Sequence, residues 1–177
     1  MTKIELLSFI NKYSLGGNVE SVAWELKNDT IATNFVSSDK TLKGTVTMNN
    51  AKINSSEQEI GIYTTSQLVR MLSILDNDVN VTVSDTSMQV NDKYTDFSFV
   101  LADLDVIPKS NRISFNIDID IEDVEPIHFS SGLMREILVA NKGTHGTLEI
   151  SPVGLGRVKF NTAATTAEYY LVSKQID

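Results

Sequence analysis

The chain has 177 residues, 41% of them hydrophobic, and a net charge of −8, which suits one large packed domain or a domain plus a fragment and excludes general disorder. It contains no cysteine, so a disulfide scaffold, a thiol nucleophile and thiolate zinc sites are all excluded. No apolar run reaches the roughly 18 residues that a membrane span needs and MTKIELLSF does not read as a targeting segment, so the expectation is a cytoplasmic protein without a membrane partner.

In chain order, Leu6, Phe9, Ile10 and Tyr13 form an apolar stripe at helical spacing, ended by Gly16-Gly17. SVAWEL, TIATNFV and LKGTVTM then alternate as strands. A second unit follows over Ile60–Leu101: a short strand IGIY, a helix TTSQLVRMLSIL, and strands VNVTVSD, SMQVND and TDFSFVLA. Leu68, Met71, Leu72 and Leu75 make its helical stripe, Thr64 or Thr65 can cap it, and Asp76-Asn77-Asp78 can stop it. Val106-Ile107-Pro108-Lys109-Ser110-Asn111 reads as a connector, and ISFNIDIDI (Ile113–Ile121) alternates over a full strand length.

The third unit, Ile127–Val172, repeats the second: IHF, then SSGLMREILVAN, then TLEIS, RVKFN and AEYYLVS, with Tyr63 and Phe129 at equivalent places. Met134, Ile137 and Leu138 restart the stripe, with Ser130 or Ser131 as the cap and Asn141-Lys142-Gly143 as the stop. The first unit is a shorter copy whose leading strand is nearly absent. One-sided helices and alternating strands in tandem predict an α+β architecture with antiparallel sheets covered on one face by helices.

Several constellations read as structure and not chemistry. Asp118, Asp120, Glu122, Asp123 and Glu125 alternate onto the wet side of a strand and lack a calcium-loop glycine. His128 and His145 are the only histidines, too few for a transition-metal site without cysteine. Gly154-Leu155-Gly156-Arg157 lies between two strands, where a hairpin and not a phosphate loop is expected, and Trp24 suits the core. No GxSxG elbow is present, and no catalytic residue, metal site or cofactor is expected.

A helix with a run of antiparallel strands, repeated in tandem, resembles the half-domain of sliding clamps such as proliferating cell nuclear antigen. The segment IGIYTTSQLVRMLSILDNDVNVTVSDTSMQVNDKYTDFSFVLADLDVIP is similar to the second half of the first domain in the clamps of T-even-type phages, and Ser114 to Lys174 is similar to their last half-domain. The resemblance implies the sliding-clamp fold, with residues 1–107 as a complete domain of two half-domains, 108–112 as connector, and 113–177 as a strand plus the final half-domain. It also implies a departure, since about one half-domain of those clamps has no counterpart here.

The implied function is that of a polymerase processivity factor: a homo-oligomeric ring around duplex DNA, set by a clamp loader, that tethers the DNA polymerase by its C-terminal peptide and is not an enzyme. The alternative is a non-ring, clamp-like phage adaptor or structural protein. In the family the helices line the hole, and here residues 3–13, 65–75 and 131–142 together carry +3, leaving −11 for the rest of the chain. That segregation has the sign needed to slide on phosphate, and it singles out Lys3, Lys12, Arg70, Arg135 and Lys142 as DNA-facing. Each is equally suited to the solvated face of an amphipathic helix. The resemblance places the partner-peptide pocket beside the connector, on Leu101, Leu104, Val106 and Ile107, which suit core or linker packing as well.

Overall fold

The computed structural model describes residues 1–110 and 127–174, in which three helices and eleven strands recur in the order anticipated from the repeat. Helix α1 (Lys3–Ser14) starts on a capping box: the Thr2 hydroxyl accepts from the Glu5 amide, and the Glu5 carboxylate accepts from the Thr2 amide. It ends where Leu15 and Gly16 turn left-handed, which lets the chain reverse into the first strands. Helices α2 (Thr65–Ser73) and α3 (Ser131–Ala140) occupy the equivalent places in the second and third repeats.

The first repeat supplies β1 (Val22–Lys27), β2 (Thr30–Val36) and β3 (Leu42–Met48), followed by the short β4 (Ile53–Asn54). The second supplies β5 (Gln58–Ile62), β6 (Asn80–Val83), β7 (Ser87–Asn91) and β8 (Asp96–Val100). The third supplies β9 (Gly146–Ile150), β10 (Leu155–Asn161) and β11 (Thr165–Val172). A seven-stranded sheet runs β5-β1-β2-β3-β11-β10-β9, and a four-stranded sheet runs β4-β6-β7-β8. The first and third repeats therefore share one sheet through the antiparallel β3–β11 pair.

Helices α1 and α2 run antiparallel, since Lys3 at the start of α1 donates to the Leu75 carbonyl just past α2, and Tyr13 near the end of α1 bonds Thr65 at the start of α2 at 3.2 Å. The two repeats also exchange strands. β5, which leads the second repeat, pairs with β1 of the first, while Thr2, ahead of α1, bridges Asp78 ahead of β6. Between the first and third repeats, Tyr169 is buried: its hydroxyl donates to the Lys12 carbonyl and accepts from Asn141, both at 2.9 Å. Burial pushes this phenol well above the usual tyrosine range, so it stays protonated as a donor.

Four details differ from the sequence reading. Thr64 stands at the N-cap of α2 without a side-chain cap bond; the Glu20 carbonyl and carboxylate accept from the Thr65 and Ser66 amides instead, because the preceding loop packs across that end. Helix α2 stops at Ser73, ahead of Asp76-Asn77-Asp78. Ile127–Phe129 form no strand among the described residues, and β4, with only two residues, carried no readable alternation. The leading strand of the second repeat, β5, has β1 of the first repeat as its edge partner. Ser130 does cap α3, and Gly154 turns the hairpin into β10. The expected strand Ile113–Ile121 and the acidic run from Asp118 to Glu125 lie outside the described residues.

Removing the Tyr169 hydroxyl takes the donor from the part-buried Lys12 carbonyl, so Tyr169→Phe is expected to destabilise the fold by about 1–2 kcal/mol. A denaturant titration against the parent chain measures this.

Candidate nucleic-acid interface and partner cleft

Helix α1 sits between the other two. Lys3 donates to the Leu75 carbonyl at the end of α2, and Lys12 donates to the Ala140 carbonyl at the end of α3, at 3.2 Å. Both ammonium groups thus complement helix C-termini, where free carbonyls concentrate negative potential. Lys12 is half-buried, and this burial holds its pKa below the usual lysine value. The remaining three cations are placed differently. Arg70 on α2 and Arg135 on α3 are exposed, as is Lys142, which falls in the turn past α3 and not on the helix. None of these three makes an ion pair within the described residues; the ion pairs there are those of Arg157 and Lys159 with Glu149 and Glu168 on β9–β11.

Of the connector residues, Leu104 and Ile107 line a cleft of ≈ 530 Å³, whereas Leu101 and Val106 do not. The reason is the short 3-10 turn Leu104–Val106, which rolls Ile107 inward to 5% exposure and Val106 outward to 57%. Leu101 packs against the main core instead. The cleft's other wall is the outward side of β5-β1-β2, with Ala23, Glu25, Ala32, Asn34 and Glu59.

Glu25 and Glu59 are direct register partners across β1 and β5, an unfavourable placement for two like charges. Among the described residues neither takes part in an ion pair, and Lys109 is the one basic side chain that lines the cleft. Sequence reasoning missed this acidic floor. The alternation marks Glu25 and Glu59 as outward, but nothing local says that β5 lies beside β1. Among the described residues no group of three or more His, Cys, Asp or Glu side chains gathers as a metal site; His128 and His145 are exposed and separate.

The backbone matches the PCNA of A. fulgidus, solved with the C-terminal region of FEN-1 bound, at a TM-score of 0.78 and 13% identity, covering 100% of this chain and 98% of that one. This is the sliding-clamp fold. The PCNA of Entamoeba histolytica matches at 0.75 and 10% identity over 99% of this chain and 97% of that one. The DNA polymerase III subunit beta of Pseudomonas aeruginosa matches at 0.67 and 10% identity over 100% of this chain and 65% of that one. No protein-family model and no curated protein matches the sequence. Tandem half-domains of one helix plus antiparallel strands are therefore present at identities of 13% and below, carried by pattern and not by shared residues. No helix among the described residues is long and apolar enough to cross a membrane.

Two outcomes follow for the cleft. Val106→Asp, at an exposed position, is expected to leave stability within about 0.5 kcal/mol, while Ile107→Asp buries an unpaired carboxylate and costs more than about 2 kcal/mol, as thermal melts of the two variants would report. Glu25→Lys turns the like-charge pair with Glu59 into an attractive one and is expected to stabilise by about 0.2–1 kcal/mol, a gain that shrinks with added salt.

Proposed function

We propose that this protein is a DNA sliding clamp, a polymerase processivity factor of the T-even phage type that acts as a homo-oligomeric ring around duplex DNA. The observation that carries the reading is the whole-chain match to clamp structures, which spans all three repeats and not one common motif. The domain division 1–107, 108–112 and 113–177 and the absence of about one half-domain belong to this reading.

The DNA-facing set is Lys3, Lys12, Arg70, Arg135 and Lys142. Within it, Arg70, Arg135 and Lys142 are exposed and make no ion pair among the described residues, and Lys3 and Lys12 contribute their potential while tied to helix ends. Contacts of this kind follow the backbone of DNA without reading bases, which is what sliding requires. A clamp has no substrate to transform; its chemistry is topological closure and electrostatic tracking.

The connector cleft is the site for a partner peptide, such as the C-terminal peptide of the polymerase, with Leu104 and Ile107 as its apolar wall and Leu101 and Val106 alongside. The A. fulgidus PCNA holds the C-terminal region of FEN-1, which supports a tethering role for the fold. A clamp loader completes the set of partners.

Two measurements test the proposal. The chain is expected to be retained on closed circular DNA in the presence of a loader and to run off linear DNA; a chain that binds polymerase peptide but shows no topological retention is a non-ring adaptor. The double variant Arg70→Glu, Arg135→Glu is expected to fold with stability unchanged within about 0.5 kcal/mol, yet to lose most of its retention at moderate salt.

A further inference from the structure

We propose that the cleft beside the connector selects a positively charged peptide, one that sets an apolar side chain against Leu104 and Ile107 and a lysine or arginine between Glu25 and Glu59. The inference rests on the reading of this cleft as the partner-peptide site and adds the chemistry of what enters it.

The sheet supplies its own comparison. At its β9-β10-β11 end, charged residues that face each other are matched in sign: Arg157 is the register partner of Glu149 and Lys159 that of Glu168, and all four share ion pairs. At the other end Glu25 faces Glu59, and neither forms an ion pair among the described residues. Both ends use the same side of the sheet. The register runs from Lys159 through Glu168 and Thr45 to Asn34, and Asn34 lies two residues along β2 from Ala32, the partner of Glu25. Like charges directly opposite each other destabilise a strand pair, so a cation set between them removes a repulsion and gains two attractions.

The rest of the lining has the same sign. Asp105 stands on the connector wall, so among the described lining residues three carboxylates meet the single ammonium of Lys109, which pairs with none of them. Small side chains, Ala23 and Ala32, flank Glu25 and leave room above the carboxylates. Glu25 and Glu59 are exposed and therefore hydrated in the free cleft. A peptide pressed onto Leu104 and Ile107 displaces that water, which strengthens each contact to a cation and penalises a neutral or acidic chain that leaves the carboxylates without a partner. Among the described residues no third His, Cys, Asp or Glu gathers with the pair as metal ligands, which favours a side-chain cation held in place by apolar contact over a bare metal ion.

A random dodecapeptide library, selected against the intact chain, tests the inference, with dissociation constants of the enriched peptides measured by fluorescence anisotropy and circular dichroism as the control for folding. The enriched peptides are expected to carry lysine or arginine beside apolar residues, and changing that cation to glutamine is expected to weaken binding about tenfold. The double variant Glu25→Gln, Glu59→Gln is expected to bind the cationic and glutamine peptides equally. Glu57→Gln, Asp85→Asn, which removes the same charge from exposed positions outside the cleft, is expected to keep the preference. Leu104→Ser is expected to weaken every selected peptide by about tenfold or more. Failure to enrich any peptide, or undiminished binding by Leu104→Ser, would overturn the cleft reading and this inference with it. Binding that depends on Leu104 but shows no preference for a cation, or a preference that survives in the Glu25→Gln, Glu59→Gln variant, would overturn the inference alone.

Discussion

Seven residue pairs between β3 and β11, from Met48–Thr165 to Leu42–Leu171, join the start of the chain to its end, and the arrangement of everything else depends on them. Without this seam the first and third repeats would be separate sheets, each too small to bury a core well. The seam is reinforced from inside by aromatic rings, edge-on for Phe9 with Trp24, Phe35 with Tyr169 and Tyr169 with Phe160, and tilted for Tyr13 with Phe35, at centroid distances of 5.4 to 6.5 Å. Gly44 is the condition for that closeness. It lies opposite both Phe35 and Tyr169 in the sheet, and a Cβ there would sit 2.4 Å from the Phe35 ring.

Helix α1 is held on this seam as the hub of the helical layer. Its two lysines reach the carbonyl ends of α2 and α3, and its Thr2–Glu5 box settles its own start, so charge at the helix ends is matched within the layer. Part of the positive charge on the helices is therefore spent on holding them together. The rest, on Arg70, Arg135 and Lys142, is exposed and without ion pairs among the described residues, a division between structural and available cations that a residue count cannot make.

The cleft beside the connector shows the opposite balance. Glu25 and Glu59 face each other where attraction would have stabilised the sheet, while Leu104 and Ile107 turn apolar surface toward the same space. The face of α3 and β9 departs from rule in another way, leaving apolar residues outside at positions that the other repeats bury.

Periodicity in the sequence was enough to determine the three helices, ten of the eleven described strands, the tandem order of helix then strands, and the inward sets Leu6-Phe9-Ile10-Tyr13 and Leu68-Leu72-Leu75, because each of these is a property of spacing along the chain. The clamp-like repeat was legible for the same reason, but of the third stripe, Met134, Ile137 and Leu138, only Ile137 is fully buried and Leu138 is 53% exposed. Tertiary structure alone decided that β3 pairs with β11, that β5 lies beside β1 and so sets Glu59 against Glu25, and that Glu20 rather than Thr64 closes the start of α2. It also decided that Lys3 and Lys12 point at helix ends, and that Ile107 enters the cleft wall while Val106 leaves it. Each of these depends on which residues distant in the chain become neighbours, and hydrophobic spacing carries no information about that choice; it says which side of an element is dry, and the packing of whole repeats decides what lies against it.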